Sequence, residues 1–295
     1  MSVSRNKTDK RNKKMSEANN TNNNPDNQNN HDSTFPNRLA IVTGDKGGVG
    51  KSTFSRGLLQ LYLNKNLPCI AYDADKRNPQ LNRYFKTSYE GRVRFLDIFT
   101  RGGTDLLLTD LESNPFPIVL LDLPAQSGEF MENFFKEIAF FEMLADLDYR
   151  ATMVSVISRV LDSVNVLEKL YKLCKNQVDY VVVKNLFHGE EKSFERYNDW
   201  SLRKKMLSEG LVEIAMPDLF YKPYDFMDRY SLAFSDVYTH PKSNIVFKGR
   251  VKSWSEDFEK RVKPAANLLA LDKLPLDANE VKELEKSTIE ILNDS

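Results

Sequence analysis

Glycines and lysines are concentrated in one short stretch, GDKGGVGKST, in which Gly44, Gly50, Lys51 and Ser52 have the spacing G-x-x-x-x-G-K-[ST]. Glycines at this spacing let the backbone curl until successive N–H groups point at phosphate oxygens. The lysine can then reach the outer phosphates, and the serine hydroxyl can ligate Mg²⁺. The spacing therefore predicts that the protein binds a nucleoside triphosphate together with Mg²⁺.

The segments on either side of this loop are the ones that it requires. RLAIVTG, at 38–44, is an apolar run ending in glycine, which is typical of a buried strand. After the loop, Phe54, Leu58 and Leu61 follow at helical spacing. A helix that begins at the loop directs its positive end toward bound phosphate. A chance match in a glycine-rich turn would lack both elements, so we interpret the loop as a phosphate site.

Carboxylates follow two further apolar runs. LPCIAYDAD, at 67–75, ends in Asp73 and Asp75, and FPIVLLDLPA, at 116–125, contains Asp122. Each run predicts a buried strand. The pair after the first run can serve a nucleotide site, or it can cap a helix in the following NPQLNRYF segment. The residues alone leave both roles open, and the capping role suits Asp73 best.

Strands and helices alternate along most of the chain. Several strand segments, such as IVLL and VVV, are apolar on both faces, as in a parallel sheet that helices cover on both sides. The predicted fold class is α/β: a parallel, helix-covered sheet of the phosphate-loop NTPase type, in a single domain with a helical C-terminal tail. The other predicted elements are strands at 149–158, 178–185 and 211–218, the last ended by Pro217, and helices at 129–147, at 162–176 with Asp162 as N-cap, at 193–210 ending at Gly210, and after Pro241.

The first part of the chain differs in composition from the rest. SRNKTDKRNKK is basic and NNTNNNPDNQNN is rich in asparagine, so neither can bury enough apolar area to fold. We expect residues 1–36 to be disordered. Their basic part is either simply solvated or an arm that contacts DNA phosphates. The predicted folded domain covers 37–275, and 276–295 is a C-terminal helix or tail.

Composition argues against several classes of protein. The formal net charge is +0, so the overall charge favours neither nucleic acid nor an anionic membrane. Cys69 and Cys174 lie in apolar segments, which predicts two buried thiols in a reducing compartment. The sequence has no CxxC pair, so it lacks the cysteine ligands that an iron–sulfur or zinc site would use. No apolar run approaches the ~18 residues of a membrane span, and we expect a cytoplasmic protein that does not bind membranes.

The sequence KGGVGKST at 46–53 resembles the deviant phosphate-loop ATPases of the ParA/MinD group, whose loop reads K-G-G-x-G-K-[ST]. The resemblance implies an ATP-dependent homodimer in which Lys46 of each subunit contacts the phosphates bound by the other. A second ammonium group there would neutralise charge that develops during phosphoryl transfer. The expected catalytic residues are then Lys46, Lys51 and Asp75, and the loop residues expected to bind ATP are Gly47, Gly48, Val49, Gly50, Lys51, Ser52 and Thr53.

Two more segments are similar to motifs of this group. AYDADKRNPQLNRYF resembles the second motif, which implies that Asp75 positions the attacking water. IVLLDLPAQSG resembles the third, which implies that Asp122 holds Mg²⁺ through a water, beside Ser52. The resemblance also implies that Asn185 and Pro217 contact the adenine, although both are ordinary residues in loops after strands.

The resemblance implies an ATP-binding, slowly hydrolysing dimeric switch that acts in plasmid DNA partition, mobilisation or cargo positioning. The alternative is a metabolic ATP-dependent ligase or synthase on the same fold, and Lys46 favours the switch. Expected partners are a small activating adaptor or DNA-binding protein and, nonspecifically, DNA. The acid-rich end, DANEVKELEKSTIEILNDS, is unlike a basic membrane-binding helix. The candidate DNA-binding residues, which also fit a solvated mixed-charge helix, are Lys248, Arg250, Lys252, Lys260, Arg261 and Lys263.

Overall fold

The computed structural model describes residues 35–44, 46–89, 91–277 and 279–280. The predicted tails, 1–36 and 276–295, therefore lie outside the described residues except at their inner ends.

A parallel sheet of seven strands forms the centre of the fold, in the order β3-β2-β4-β1-β5-β6-β7. All neighbouring strands run parallel, which confirms the predicted fold class. In chain order the strands are β1 (Asn37–Thr43), β2 (Cys69–Asp73), β3 (Val93–Phe95), β4 (Ile118–Asp122), β5 (Tyr149–Ile157), β6 (Asp179–Asn185) and β7 (Val212–Met216).

Helices cover both faces of the sheet. Because both faces are buried, consecutive residues of a central strand belong to different cores: Ala40 and Val42 pack on one side, and Leu39 and Ile41 on the other. Among the described residues, no helix combines the length and the apolar character needed to cross a membrane. The helices are α1 (Lys51–Asn64), α2 (Gln80–Phe85), α3 (Asp105–Ser113), α4 (Gly128–Glu137), α5 (Phe140–Asp146), α6 (Leu161–Cys174), α7 (Glu195–Asn198), α8 (Ser201–Ser208), α9 (Tyr221–Tyr230) and α10 (Ile245–Val262).

The C-terminal helix α10 closes one face of the sheet against α1, so the helix expected after Pro241 is confirmed. Phe258 lies 5.5 Å from Phe54 of α1 and stacks on Trp254 at 5.0 Å, measured between ring centroids. Cys69 and Cys174 are buried free thiols, as predicted, and burial raises the pKa of each to about 12.

Three sequence expectations about helices are wrong. The predicted helix at 129–147 is two helices, α4 and α5, because Ala139 adopts a left-handed φ of 48° and the chain turns there. The turn lets Phe135 and Phe140 stack at 5.2 Å. The predicted helix at 193–210 is likewise divided into α7 and α8. Asp162 lies inside the first turn of α6, whose N-cap position is Val160, so it is not the N-cap.

Candidate nucleotide-binding site

The parallel register brings the ends of three strands together at one edge of the sheet. Asp122 at the end of β4 pairs in register with Val42 of β1 and with Asp73 of β2. The loop that follows β1 therefore begins next to both carboxylates. Ligands bind at this carboxyl edge in open parallel sheets.

The loop between β1 and α1 has the backbone that its glycines allow. Gly48 has φ 79° and Gly50 has φ 100°, both in the left-handed region that side chains disfavour. Helix α1 begins at Lys51, directly after Gly50. The predicted order of strand, glycine loop and helix is thus confirmed, and the first helix points its N-terminus at the loop.

Lys51 is buried beneath the loop, with 7% of its surface exposed. Its Nζ donates a hydrogen bond of 3.3 Å to the backbone carbonyl of Lys46, across the loop. Ser52 and Thr53 are half-buried in the first turn of α1. Lys51, Ser52 and Thr53 thus form the first turn of α1, directly after the glycine loop.

Asp122 is buried and accepts a hydrogen bond of 2.8 Å from the Ser55 hydroxyl. Burial raises the pKa of Asp122 to about 7, and the nearby charge of Asp73 acts in the same direction. Hydrogen bonds from Ser55 and Ser52 and the charge of Lys51 lower that pKa, but less strongly. A buried carboxyl group in this state would be stabilised as the carboxylate by a bound cation.

Asp73 caps helix α2 from a distance. Its Oδ2 accepts the backbone N–H of Asn82 at 3.0 Å, and its Oδ1 accepts that of Asp75 at 3.1 Å. Burial raises the pKa of Asp73 to about 6, although these backbone hydrogen bonds lower it. Of the two roles left open by the sequence, capping is the one that the contacts of Asp73 satisfy.

Asp75 stabilises the turn that follows β2. Its Oδ1 accepts the backbone N–H groups of Arg77 and Asn78, each at 3.0 Å. Within the described part of the chain, its Oδ2 accepts no hydrogen bond. One oxygen of Asp75 is thus held by the turn, and the other can take a water molecule.

Lys46 projects from the loop rather than into it. Its side chain is 54% exposed, and Nζ lies 3.5 Å from Oδ2 of Asp162, which is 66% exposed. Ion pairs between exposed side chains contribute about 0–1 kcal/mol. Lys46 can therefore leave Asp162 at little cost.

Asn185 is the last residue of β6, and Pro217 directly follows the neighbouring strand β7. Asn185 is buried, and its Nδ2 donates a hydrogen bond of 2.8 Å to the backbone carbonyl of Val49 in the loop. Pro217 is also buried, and its carbonyl accepts a hydrogen bond of 2.8 Å from Nε1 of Trp254. Asn185 therefore touches the phosphate loop, whereas Pro217 is tied to α10.

Two residues near the loop were missed by the sequence reasoning. Ser55 lies four residues after Lys51, and this helical spacing could have identified it, because residues four apart share a face. His188 follows Asn185 by three residues and carries no comparable signal. Burial lowers the pKa of His188, while hydrogen bonding to the backbone of Gly48 and Val49 raises it. The His188 ring therefore lies against the loop.

The parallel sheet, its glycine loop and the carboxylates at the carboxyl edge define a phosphate-loop nucleotide-binding protein. A sequence profile of the CobQ/CobB/MinD/ParA nucleotide binding domain matches residues 40–209. The chain belongs to this family.

Known proteins resemble the chain to different extents. Protein MobD of Acidithiobacillus ferrooxidans is 26% identical over 222 residues, which cover 75% of this chain and 95% of MobD. The MinC:MinD cell division protein complex of Aquifex aeolicus includes a chain that is 14% identical, with a TM-score of 0.45, covering 82% of this chain and 98% of that one. A nucleotide-binding protein of Archaeoglobus fulgidus in complex with ADP is 19% identical, with a TM-score of 0.37, and the match covers 62% of this chain and 82% of that one.

Proposed function

We propose that this protein binds ATP with Mg²⁺, hydrolyses it slowly, and acts in the cytoplasm as a dimeric switch of the ParA type. The observation that best supports this proposal is that one loop supplies two lysines with different exposure. Lys51 is 7% exposed, whereas the Lys46 side chain is 54% exposed. Membership of the family and the similarity to MobD support a role in plasmid mobilisation, partition or cargo positioning.

ATP is proposed to bind in the loop through Gly47, Gly48, Val49, Gly50, Lys51, Ser52 and Thr53. The backbone N–H groups of the loop and the Lys51 ammonium group would hold the phosphates. Adenine would lie at the carboxyl ends of β6 and β7, beside Asn185 and Pro217.

Ser52 and Asp122 would hold Mg²⁺. Both offer oxygen atoms, which this hard cation prefers. The raised pKa of buried Asp122 fits such a role, because a cation beside it would favour the carboxylate. When bound, Mg²⁺ would neutralise charge on the β- and γ-phosphates.

Asp75 would orient the water that attacks the γ-phosphate, using the oxygen that the turn leaves available. Lys46 would move away from Asp162 and contact the phosphates bound by a second copy. ATP would then hold the homodimer together, and hydrolysis would release it.

The proposed partners are a small activating adaptor or DNA-binding protein and, nonspecifically, DNA. Acidic side chains already form ion pairs with part of the basic surface on α10 that is proposed to bind DNA. Lys252 lies 3.8 Å from Glu256, and Arg261 lies 2.9 Å from Asp257. DNA binding through this surface would therefore depend on the two copies acting together.

The test compares wild type with Lys51→Ala and with Lys172→Ala, an exposed lysine on α6. Lys51→Ala should lose most ATP affinity and turnover, because the phosphates lose a buried cation. Lys172→Ala should match wild type in both. ATP titrations and phosphate release, each with and without Mg²⁺, measure the effect. Wild-type turnover in Lys51→Ala would exclude the proposed site.

The ligase alternative makes a different prediction in the same experiment. A ligase would consume ATP only when an acceptor carboxylate is supplied, and ATP would not change its oligomeric state. Mass measurement by light scattering with ATP, together with turnover in the absence of any acceptor, therefore separates the two functions.

A further inference from the structure

The Asn185 side chain links the end of β6 to the phosphate loop. Its Nδ2 donates to the carbonyl of Val49 at 2.8 Å, and its Oδ1 accepts the backbone N–H of Phe187 at 3.1 Å. The residue is 4% exposed. One of the two Nδ2 hydrogens and one lone pair of Oδ1 are therefore used within the protein.

The orientation of this amide is fixed by its neighbours. If the group were rotated by half a turn, Oδ1 would face the Val49 carbonyl and Nδ2 would face the Phe187 N–H, so both hydrogen bonds would be lost. The Phe187 N–H thus sets which end of the amide meets the loop. Nδ2 is the end that reaches Val49.

The loop is built to accept the amide at close range. A Cβ atom placed on Gly50 would overlap Nδ2 of Asn185 and lie 3.0 Å from Cε of Met216. Only glycine gives the required space, and the φ of 100° at Gly50 also favours glycine. The close contact therefore depends both on Asn185 at the end of β6 and on the glycine at position 50 of the loop.

Holding the Val49 carbonyl also fixes the next N–H group. The described chain has no cis peptide bonds, and in a trans peptide the C=O and the following N–H point in opposite directions. With the Val49 carbonyl turned toward Asn185, the Gly50 N–H points away from β6. Were this peptide to flip, a carbonyl oxygen would take the place of a donor in the phosphate loop.

We propose that Asn185 is a positioning residue for the phosphate loop: it fixes the Val49–Gly50 peptide so that the Gly50 N–H faces the bound triphosphate. This inference rests on the proposed binding of ATP, and it gives Asn185 a role toward the phosphates in addition to its proposed place beside adenine. It therefore requires Asn185 to support the binding of GTP and inorganic tripolyphosphate as well as that of ATP. A residue that recognised only adenine would support ATP alone.

The test uses Asn185→Asp in the full chain, because aspartate keeps the acceptor for Phe187 and, when ionised, loses the donor to Val49. At pH 8.5 we expect the affinities for ATP, GTP and tripolyphosphate each to fall at least ten-fold. Asn114→Asp, the same change beyond α3, should leave all three affinities unchanged. Loss of ATP affinity alone would overturn the inference.

Acidification provides a readout that a general loss of structure would not give. The quantity to compare is the ratio of wild-type to Asn185→Asp affinity for tripolyphosphate, because protonation of the ligand and of His188, which lies beside Gly48 and Val49, affects both proteins. Burial raises the pKa of a carboxyl group, and once protonated the introduced side chain can donate to the Val49 carbonyl again. The ratio should therefore shrink from pH 8.5 to pH 5.5. A ratio that does not change would contradict the inference.

One measurement needs no variant. In wild type labelled with ¹⁵N-glycine, the Gly50 N–H resonance should shift when tripolyphosphate is added, and an unmoved resonance would overturn the inference. Wild type that binds tripolyphosphate but never hydrolyses ATP would remove the proposed ATPase and leave the role of Asn185 intact. Wild type that binds none of the three ligands would overturn both.

Discussion

The Ser55 hydroxyl donates a hydrogen bond of 2.8 Å to Oδ1 of Asp122 and so joins α1 to the carboxyl end of β4. Both side chains are buried. Ser52 lies one helical turn earlier, half-buried and closer to the loop. Ser52 also donates to Asp122, but with a smaller effect on its pKa. Ser55 is therefore the main donor to the carboxyl group, and Ser52 is proposed to hold Mg²⁺.

Ser55→Ala should lower the free energy of unfolding by about 1–3 kcal/mol, because a buried carboxyl group loses its stronger hydrogen-bond donor. Ser52→Ala should change the free energy of unfolding by less than about 1 kcal/mol but weaken ATP binding when Mg²⁺ is present. Urea unfolding and ATP titration with and without Mg²⁺ measure the two effects. Equal losses of stability in both variants would show that the tasks are not separated.

Gly57→Ala should destabilise the protein by about 1–2 kcal/mol, even though alanine favours helix. A Cβ on Gly57 of α1 would lie 3.0 Å from Cζ of Phe258 and 3.0 Å from Cη2 of Trp254, so the rings of α10 must shift. The matched control is Gly249→Ala on α10, where a Cβ meets nothing within 4 Å. It should stabilise the protein by up to about 1 kcal/mol. Thermal or urea unfolding gives both values, and the same sign for both would contradict the packing argument.

Asp179→Asn should cost about 3–5 kcal/mol at pH 7, because it leaves the buried guanidinium of Arg38 without its ion-pair partner. Burial acts to raise the pKa of Asp179, but hydrogen bonds and charge from Arg150 and Arg38 outweigh it and lower that pKa overall. The pKa of this carboxyl group in the unfolded chain is about 4. Because its pKa in the folded protein is lower, it contributes its full stabilisation above about pH 4, and this contribution is lost as the pH falls below that value toward the folded pKa. The difference from wild type should therefore shrink between pH 7 and pH 3, as urea unfolding at both pH values can measure. An equal difference at both would contradict the assigned ion pairs.

The local part of the site could be predicted from the sequence. The spacing of Gly44, Gly50 and Lys51, with an apolar run before and a helical pattern after, depends on neighbouring residues only. Asp122 could be assigned to the end of a strand for the same reason. The register that sets Asp122 beside Val42 and Asp73 follows from parallel pairing, which the doubly apolar strands indicated.

Contacts between distant segments could not be predicted. Asn185 and Val49 are 136 residues apart, and nothing near either one indicates their hydrogen bond. Strand β3 was also missed, because it has three residues and one of them is Arg94. Arg94 is buried there and pairs with Asp110 of α3, which no short-range pattern shows.

Asp75→Asn should bind ATP like wild type but hydrolyse it at least ten-fold more slowly. Asparagine keeps the oxygen that accepts the Arg77 and Asn78 N–H groups, so the turn should persist. It removes the negative charge proposed to orient the water. ATP affinity and single-turnover rates give the comparison. If affinity falls as much as rate, Asp75 acts through the structure of the site and not on the water.

Lys46 and Lys51 of the loop should have different roles, and the control for a change at Lys46 is a change at its ion-pair partner, Asp162. Asp162→Asn removes the ion pair of Lys46 within its own subunit and leaves the lysine in place. Because each exposed pair contributes about 0–1 kcal/mol and the dimer would break two of them, ATP-dependent dimerisation should be unchanged or up to about thirty-fold stronger. Weaker dimerisation in Asp162→Asn would mean that the ion pair itself helps to build the interface.

Lys46→Ala should bind ATP nearly as wild type does, because the loop N–H groups and Lys51 of the same subunit remain. The Lys46 carbonyl that accepts the Lys51 hydrogen bond is backbone and is also kept. The variant should nevertheless fail to dimerise, since the ammonium group proposed to reach the second nucleotide is gone. Light scattering with a slowly hydrolysed ATP analogue, beside an ATP titration, measures both properties. A Lys46→Ala protein that still dimerises with the analogue would confine Lys46 to its own subunit, and a wild type that stays monomeric would favour the ligase alternative.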